Sequence, residues 1–568
     1  MSPAKKALLY WNTVRYLKPI QIYRRFWFGY HRPSLNLATP SIASAKQQGV
    51  WQPPVAHPQT MLESASFRFL NRVEHLTVKD SWNNPNLPKL WLYNLHYFDD
   101  LNAQGAQARS EWHRNLIKQW IVENPPSSGN GWEPYPTSLR MVNWIKWTLA
   151  GNTLAELESQ SLYLQARWLN KRLEWHLLGN HLLANAKALI FAGMYFSGDE
   201  ASSWLNLGRK IYQEQIPEQI LADGVHFELS PMYHAIILED ILDVLNICHT
   251  YPENYEASFI QLLQSTAQNM LAAYQSLIHP DGQISFFNDA AIGVCATYSQ
   301  LSAYAQSLGL ETTFQHSRKS HEKSQDLILT HLKDAGYVRI EHENACALLD
   351  VGCIGPDYLP GHAHADTLSF ELSVFGQRLI VNGGTSTYAS GSLRNDERST
   401  ASHSTVEVGG QNSSEVWGQF RVAKRAYPNH LQISNLHPGF EVQCSHNGYQ
   451  RLSSGLTHTR IWKMSEGVLQ VDDQVAYSGN KSSIAAPPKS LARYIFHPSS
   501  QLKPLAKNHW ELQLSNMKKI DLTILSGDGH IEQCSYASQF CKIEKTQCLV
   551  IELVGSDILS SQVQIKWS

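Results

Sequence analysis

Apolar residues recur with a helical period over much of the chain, from about residue 85 to 310. In the stretch 233–248 they fall on one face of a helix, at Tyr233, Ile236, Ile237, Ile241, Val244, Leu245 and Cys248. Ser230 is suited to cap that helix, and Pro231 to occupy its first position. The same period predicts helices at 107–123, 137–150, 155–173, 181–196, 201–216, 233–249, 256–277 and 296–308. So many consecutive helical hairpins indicate an incomplete α/α toroid rather than a four-helix bundle.

Beyond about residue 335 the pattern changes to short segments in which apolar and polar residues alternate. Strands are predicted at 337–340, 345–349, 368–374, 378–382, 405–408, 468–471, 522–525 and 548–553. Turn signals such as Gly409-Gly410 separate these segments, which is typical of a large antiparallel β-sandwich. The predicted fold class is therefore α+β multidomain, with the toroid over 61–325 and the sandwich over 326–568.

The first 60 residues differ from both of these regions. Residues 4–30 mix basic side chains such as Lys5 and Arg25 with aromatic ones such as Trp11 and Trp27. Two interpretations remain open: an amphipathic helix on a membrane surface, or a helix packed on its own protein. Prolines between residues 33 and 58 then predict an extended linker.

Composition narrows the function classes without choosing one. The 568 residues carry 47 Lys and Arg against 49 Asp and Glu, a net charge of −2, so charge alone predicts no binding to nucleic acid. An anionic substrate would have to meet a local basic patch. The 17 Trp, 24 Tyr and 25 His suit a carbohydrate-binding groove, although a large helical core uses aromatic residues too.

Cysteine spacing and apolar runs bear on the compartment. The 8 Cys are scattered without a CxxC pair, which argues against a zinc ribbon and gives no disulfide framework. The apolar run 7–11 is too short for a signal peptide, and no run reaches transmembrane length. The chain as written therefore predicts a cytoplasmic protein or one peripheral to the inner membrane, and a periplasmic location stays open.

Groups that bind metals or move protons alternate in the stretch Gly361-His362-Ala363-His364-Ala365-Asp366. Residues two apart share a face of a β-strand, so a strand here would aim His362, His364 and Asp366 to one side. Further candidates flank the stretch or follow it: Tyr358, Asn382, Tyr388 and His403. This concentration predicts a functional site rather than a solvated strand end.

Two predicted helix starts in the toroid carry further candidates. Asn180 has an ordinary explanation as an N-cap, while Asn180 and His181 together would also lie at a positive helix end that favours a carboxylate. Tyr233 falls in the first turn of its helix; a free tyrosine has a pKa of about 10, so it acts as a base only beside positive charge or hydrogen-bond donors. The candidate substrate-binding residues are Arg140, Glu228, His234, Tyr388, Arg394 and Arg398.

These blocks, over roughly residues 85 to 420, resemble the heparinase II/III-like family of polysaccharide lyases. The most specific part is the histidine-rich stretch at 361–366 together with Ser402-His403-Ser404-Thr405-Val406. The resemblance implies an α/α toroid followed by an antiparallel β-sandwich, and cleavage of a uronate-containing polysaccharide by β-elimination. Four residues would carry that reaction: Asn180, His181, Tyr233 and His362. The first two would neutralise the uronate carboxylate, the tyrosine would remove or donate a proton, and His362 would be the second acid or base.

The resemblance also raises the question of a metal, because some family members hold zinc in the β-domain with His, Asp and His. The matching positions here are His364, Asn382 and His403, so an amide stands in place of the carboxylate. A neutral amide is a poor zinc ligand. Two outcomes stay open: a hydrogen-bonded Asn382 in place of the metal, or a weakened structural zinc site. The elimination itself requires no cofactor.

Alternative functions remain open as well. A glycoside hydrolase on the same toroid would use carboxylates such as Asp223, Glu228 or Asp289, but it needs a carboxylate pair at a defined separation. A non-catalytic carbohydrate-binding scaffold needs neither acid nor base. The segment 92–99 resembles relatives in bacterial surface-polysaccharide assembly, which favours an acidic exopolysaccharide over heparin as the substrate.

Overall fold

The computed structural model describes residues 3–38, 43–76, 81–311, 327–452, 455–478, 487–514 and 518–568. Its helices are α1 (Pro3–Val14), α2 (Pro19–Tyr30), α3 (Lys89–Tyr97), α4 (Ser110–Glu123), α5 (Pro134–Leu149), α6 (Glu156–Lys171), α7 (Gly179–Tyr195), α8 (Asp199–Gln219), α9 (Pro231–Thr250), α10 (Ala257–Ser276), α11 (Tyr298–Ser307) and α12 (Ser392–Glu397). The eight predicted helices correspond to α4–α11 and are confirmed, with ends that differ by a few residues. The predicted domain boundary at 325/326 lies at the edge of a segment outside the described residues.

The strands up to β11 are short. They are β1 (Met61–Glu63), β2 (Ser66–Phe69), β3 (Arg72–His75), β4 (Ile328–Leu332), β5 (Tyr337–His342), β6 (Ala345–Asp350), β7 (Phe370–Val374), β8 (Gln377–Val381), β9 (Val406–Val408), β10 (Val416–Trp417) and β11 (Arg421–Val422). The pattern did not predict β1–β3, which form a three-stranded sheet that packs on α3.

The remaining strands are longer. They are β12 (Pro428–Asn435), β13 (Phe440–His446), β14 (Leu456–Ser465), β15 (Val468–Tyr477), β16 (Ser490–Phe496), β17 (Gln501–Ala506), β18 (His509–Gln513), β19 (Lys519–Ser526), β20 (Asp528–Gln539), β21 (Lys542–Glu552) and β22 (Ile558–Trp567). One sheet has the order β12-β13-β14-β15-β22-β19-β18-β17; the other has the order β20-β21-β16-β8-β7-β6-β5-β4, with β9 paired to β16. Neighbouring strands run antiparallel, so the predicted β-sandwich is confirmed.

The sheet that contains β4–β8 is buried on both faces, which explains why β6 reads as almost continuously apolar. Phe370 and Leu372 pack into the core between the two sheets. The alternate residues of β7 point to the helices, where Glu371 and Ser373 bind the two ring nitrogens of His279, each at 2.7 Å. Because successive side chains of β7 point to opposite faces of the sheet, this strand contacts both the partner sheet and the toroid.

The N-terminal segment forms two helices rather than one. The break falls at residues 15–18, because Pro19 occupies the first position of α2 and disfavours a helical conformation in the residue before it. In the described part of 33–58 the β-type pairing is an isolated bridge between Ser44 and Phe196, which is consistent with an extended conformation of this segment. Among the described helices, none combines the length and the apolar character needed to span a membrane.

Candidate active site

Three packed helices of the toroid begin where it faces the sandwich. Tyr135 lies in the first turn of α5, His181 in that of α7 and Tyr233 in that of α9. The cap of α9 is the predicted one, since Ser230 accepts a hydrogen bond from the Tyr233 backbone N–H at 3.2 Å and Pro231 is the first helical residue. Helix N-termini carry partial positive charge, so this end of the toroid favours an anionic ligand.

The start of α7 differs from the prediction. The residue that precedes the helix is Leu178 rather than Asn180, and both Leu178 and Gly179 have positive φ, 66° and 55°. A Cβ on Gly179 would lie 2.3 Å from Leu359 Cδ2 and 2.6 Å from Glu228 Oε1, so glycine alone fits. The Asn180 side chain does not cap the helix; its amide lies 2.9 Å from both Glu228 oxygens and donates to them.

His181 offers positive charge at the same helix end. Its side chain is 33% exposed, and its ring lies over Tyr135 with centroids 4.6 Å apart. Nδ1 lies 3.2 Å from Glu174 Oε1. Burial would lower the pKa of His181, but the charge of Glu174 and this hydrogen bond raise it above its ordinary value. The α7 N-terminus therefore presents an imidazole that readily carries a proton.

The Tyr233 and His362 rings stack across the crevice between toroid and sandwich, with centroids 3.9 Å apart and planes inclined by 29°. The Tyr233 hydroxyl lies 3.3 Å from that of Tyr388. Tyr233 is half-buried, and desolvation together with the neighbouring Tyr388 raises its pKa well above the ordinary value. The phenol therefore keeps its proton at neutral pH. Phe420 is 41% exposed, packs edge-on against Tyr388 and marks the open rim.

Asp289, in the loop after α10, holds the crevice together. His362 Nδ1 lies 2.9 Å from its Oδ2, His364 Nε2 lies 2.8 Å from its Oδ1, and both terminal nitrogens of Arg394 donate to it. Burial would raise the pKa of Asp289, but the Arg394 charge and the histidine hydrogen bonds hold it well below its usual range. The ionised carboxylate therefore accepts N–H from both rings. The sequence offered Asp289 only as a hydrolase carboxylate, because no local pattern shows three partners that are distant along the chain.

The histidine-rich stretch itself is an irregular loop, so the predicted strand over 361–366 is wrong. The strand begins later, at Phe370, and Leu368 before it has a φ of 61°. The two histidines still converge because both reach the same carboxylate, whereas Asp366 accepts the backbone N–H of Asn288 at 2.9 Å. Asn288 also has positive φ, 55°. Such strained positions cluster at functional sites, where the surrounding contacts hold them.

The residues that match the family's zinc ligands do not complete a zinc site. His364 Nδ1 and His403 Nε2 lie 3.0 Å apart, and the far nitrogen of His403 lies 2.7 Å from the Ser399 carbonyl. The far nitrogen of each ring therefore faces an acceptor, Asp289 Oδ1 for His364 and the Ser399 carbonyl for His403. The Asn382 side-chain oxygen, however, accepts the Ser404 N–H at 2.9 Å. The described residues contain no group of three His, Cys, Asp or Glu placed to hold a metal, whereas zinc sites use three or four such ligands.

Most of the predicted substrate-binding side chains are buried. These are Arg140, Glu228, His234, Arg394 and Arg398, whereas Tyr388 is half-buried in the crevice. Arg140 lies over the Trp120 ring at 3.8 Å. His234 Nε2 lies 2.9 Å from the Met270 carbonyl, and Arg398 donates to backbone carbonyls of neighbouring loops. Arg140, His234 and Arg398 are therefore engaged within the protein, and Arg394 is engaged by Asp289; a role of these residues in substrate binding stays a prediction.

An incomplete toroid docked on a β-sandwich, with tyrosine, histidine and carboxylate side chains between them, defines the class of fold that the sequence resembles. Residues 107–315 match the family model described as "Heparinase II/III N-terminus", and residues 325–565 match "Heparinase II/III-like, C-terminal". The chain belongs to the heparinase II/III-like family, which confirms the resemblance drawn from the sequence.

Individual relatives are distant. A heparin-sulfate lyase of Pedobacter heparinus is 26% identical over 245 residues, which cover 41% of this chain and 36% of the relative. One of Bacteroides stercoris is 28% identical over 247 residues, 42% of this chain and 37% of the relative, so the chain matches little more than a third of these curated proteins. A crystal structure of heparinase III superposes with a TM-score of 0.65 at 18% identity, covering 84% of this chain and 76% of that one. A mutant of the heparan sulfate lyase HepC from Pedobacter heparinus gives 0.60 at 19% identity, covering 97% and 88%.

Proposed function

We propose that this protein is a polysaccharide lyase that cleaves a uronate-containing acidic polysaccharide by β-elimination. The observation that carries the proposal is the stacked pair of Tyr233 and His362 in the crevice, with one carboxylate at each imidazole nitrogen. Family membership and the names of the relatives, heparin-sulfate lyases, support the same reaction class.

The first requirement of elimination is stabilisation of charge. A proton α to a carboxylate is barely acidic, so the enzyme must stabilise an enolate by donors placed around it. His181, with its raised pKa, and the N-terminus of α7 supply positive potential beside the crevice. The Asn180 amide is engaged by Glu228 in this structure, so His181 is the side chain that first meets the uronate carboxylate.

The second requirement is a base and an acid. The ionised Asp289 fixes the proton of His362 on Nδ1, which leaves Nε2 to take the C5 proton. Glu228 Oε2 lies 3.5 Å from Nε2 and stabilises the imidazolium that forms. Tyr233, whose raised pKa keeps it protonated, donates to the leaving O4 oxygen. The base, His362, and the acid, Tyr233, are thus the two rings of the stacked pair.

The hydrolase alternative receives no support from the carboxylates named for it. Asp223 accepts the backbone N–H groups of Asp334 and Ala335, both at 2.8 Å, and ties a toroid turn to the sandwich. Glu228 and Asp289 are both saturated by donors. Hydrolysis needs one carboxylic acid and one carboxylate that face a glycosidic bond.

The substrate is proposed as an acidic exopolysaccharide of the producing cell rather than heparin. The sequence resemblance of the segment 92–99 to relatives in surface-polysaccharide assembly supports this choice. We further propose that the elimination runs without a cofactor, because each step above is assigned to side chains of this chain.

The test is product analysis with a panel of uronate polysaccharides. Elimination gives a new ultraviolet absorbance and a water-lighter end group, whereas chain shortening without that chromophore would overturn the proposal. We expect Tyr233→Phe to lower kcat by about 10²–10⁴-fold with little change in KM. The matched control is Tyr195→Phe, a half-buried tyrosine at the far end of α7, which should stay active. If Glu228→Gln abolished activity while Tyr233→Phe remained active, hydrolysis would be the reaction.

A further inference from the structure

The two N-terminal helices are packed with their polar side inwards. The buried residues of α1 and α2 are Asn12 and Gln21. Large aromatic side chains are exposed instead: Trp11 66%, Tyr23 58%, Phe26 64%, Trp27 45% and Tyr30 87%. Large aromatic side chains exposed in this number on two adjacent helices of the chain indicate an interaction site.

Specific contacts hold these helices at the seam between toroid and sandwich. Arg425 of the sandwich donates to the Asn12 carbonyl at 3.3 Å. Gln21 donates to the Tyr358 carbonyl at 3.2 Å, and Arg172 of the toroid donates to two backbone carbonyls at the end of α2. The aromatic face is therefore presented outwards by a fixed support.

The charged side chains of the N-terminal helices are all basic. The first acidic residue of the chain is Glu63, whereas seven Lys and Arg lie between residues 5 and 32. Beside α2 lies a small pocket of about 60 Å³ whose charged lining is Arg24, Lys171 and Arg172, with no carboxylate among its lining residues. The Nε of Arg24 is buried without a hydrogen-bond partner. Three basic side chains and no carboxylate give this pocket the charge that attracts a phosphate group.

We propose that α1 and α2 dock the protein on an anionic lipid bilayer. Exposed Trp and Tyr beside Lys and Arg are the residues that lie at the membrane–water interface, and basic residues near it are attracted to anionic lipid. The helices lie in the plane of the interface, and the pocket beside α2 takes a lipid phosphate. Gln21 also contacts the Leu177 carbonyl, three residues before Asn180, so the crevice is held close to the bilayer. This proposal does not depend on the reaction proposed above.

The test is sedimentation of the full-length protein with phosphatidylcholine vesicles, with and without phosphatidylglycerol. Each basic residue near an anionic surface contributes about a fivefold gain in partitioning, so Arg24→Gln/Arg25→Gln should lower binding about 25-fold. Trp11→Ser/Phe26→Ser should lower binding by roughly 100-fold, because the loss of each aromatic ring lowers partitioning into the vesicle at least tenfold. The matched apolar control is Leu505→Ser/Leu525→Ser, two exposed leucines of the sandwich.

Binding should require phosphatidylglycerol, fall with added salt and be unchanged in the control variant. Equal binding to neutral vesicles, no binding at all, or wild-type binding by the Trp11/Phe26 variant would overturn the proposal. A concentration-dependent dimer in sedimentation velocity that the same variant abolishes would show that a second copy covers this face, and would also overturn it. Circular dichroism of each variant establishes that the fold is retained.

Discussion

Replacing Asp289 by asparagine tests the contact on which the crevice depends. The asparagine keeps the shape of the side chain, but it removes the charge and one of the two acceptor oxygens. Four N–H groups from His362, His364 and Arg394 then face a single acceptor and an NH₂ group. Arg394 is 0% exposed, so its charge stays buried without a counter-ion.

The expected loss follows from that burial. Removing one partner of a buried ion pair costs about 3–5 kcal/mol, because the remaining charge is neither solvated nor paired. The control is Glu74→Gln, which breaks the surface pair with Arg72. The Arg72 and Glu74 side chains are 43% and 29% exposed, so solvent compensates and the loss should be about 0–1 kcal/mol. The free energy of unfolding of a folded protein is about 5–15 kcal/mol, so the Asp289 variant should still fold.

The assay is urea unfolding followed by tryptophan fluorescence, with each transition fitted separately because the chain has two domains. Asp289→Asn/Arg394→Met removes both charges and should recover most of the loss. The activity of the single variant should fall about 10²-fold or more, because His362 is no longer held in place. The reasoning is refuted if Asp289→Asn lies within 1 kcal/mol of wild type, or if the double variant is no more stable than the single one.

Three further predictions concern the helix end, pH and metal. Gly179→Ala should cost about 1–3 kcal/mol in thermal unfolding and reduce activity, because its Cβ meets two site residues; Gly151→Ala, where nothing lies within 4 Å, should cost only the strain of positive φ. Glu174→Gln should lower the pKa of His181, so the alkaline limb of the activity profile should move to lower pH. Dialysis against a chelator should leave the thermal midpoint unchanged, because Asn382 does not complete a zinc site.

Each of these has a result that contradicts it. Equal losses for the two glycine variants would show that the close approach at Gly179 does not matter. The folded-state pKa of His181 is raised, so its contribution to stability is present below the ordinary pKa of about 6.5 and lost as pH rises through the folded value. If the pH profile of activity were identical for Glu174→Gln and wild type, the assignment of the raised His181 pKa to Glu174 would be contradicted. A midpoint lowered by the chelator and restored by zinc would contradict the third prediction.

Local periodicity was sufficient to predict helices α4–α11 and the eight strands β5–β9, β15, β19 and β21, because burial of one face repeats every few residues. It also placed Tyr233 in the first turn of α9, where the Ser230 cap is a local signal. It failed at Asn180 and at 361–366, where backbone strain and a distant carboxylate decide the conformation. The role of Asp289 could not be predicted at all, since its partners lie 73 to 105 positions away.

The site and the junction of the two domains are built from the same interactions. Asp289 belongs to the toroid and its three strongest partners to the sandwich, while Tyr233 and Glu228 of the toroid both face His362. Opening the domains as a hinge would leave buried ions unpaired, at a cost comparable to the substitution argued above. We therefore expect substrate to enter along the rim marked by Phe420 rather than through separation of the domains. Substitutions that weaken the junction should then lower activity before they unfold either domain.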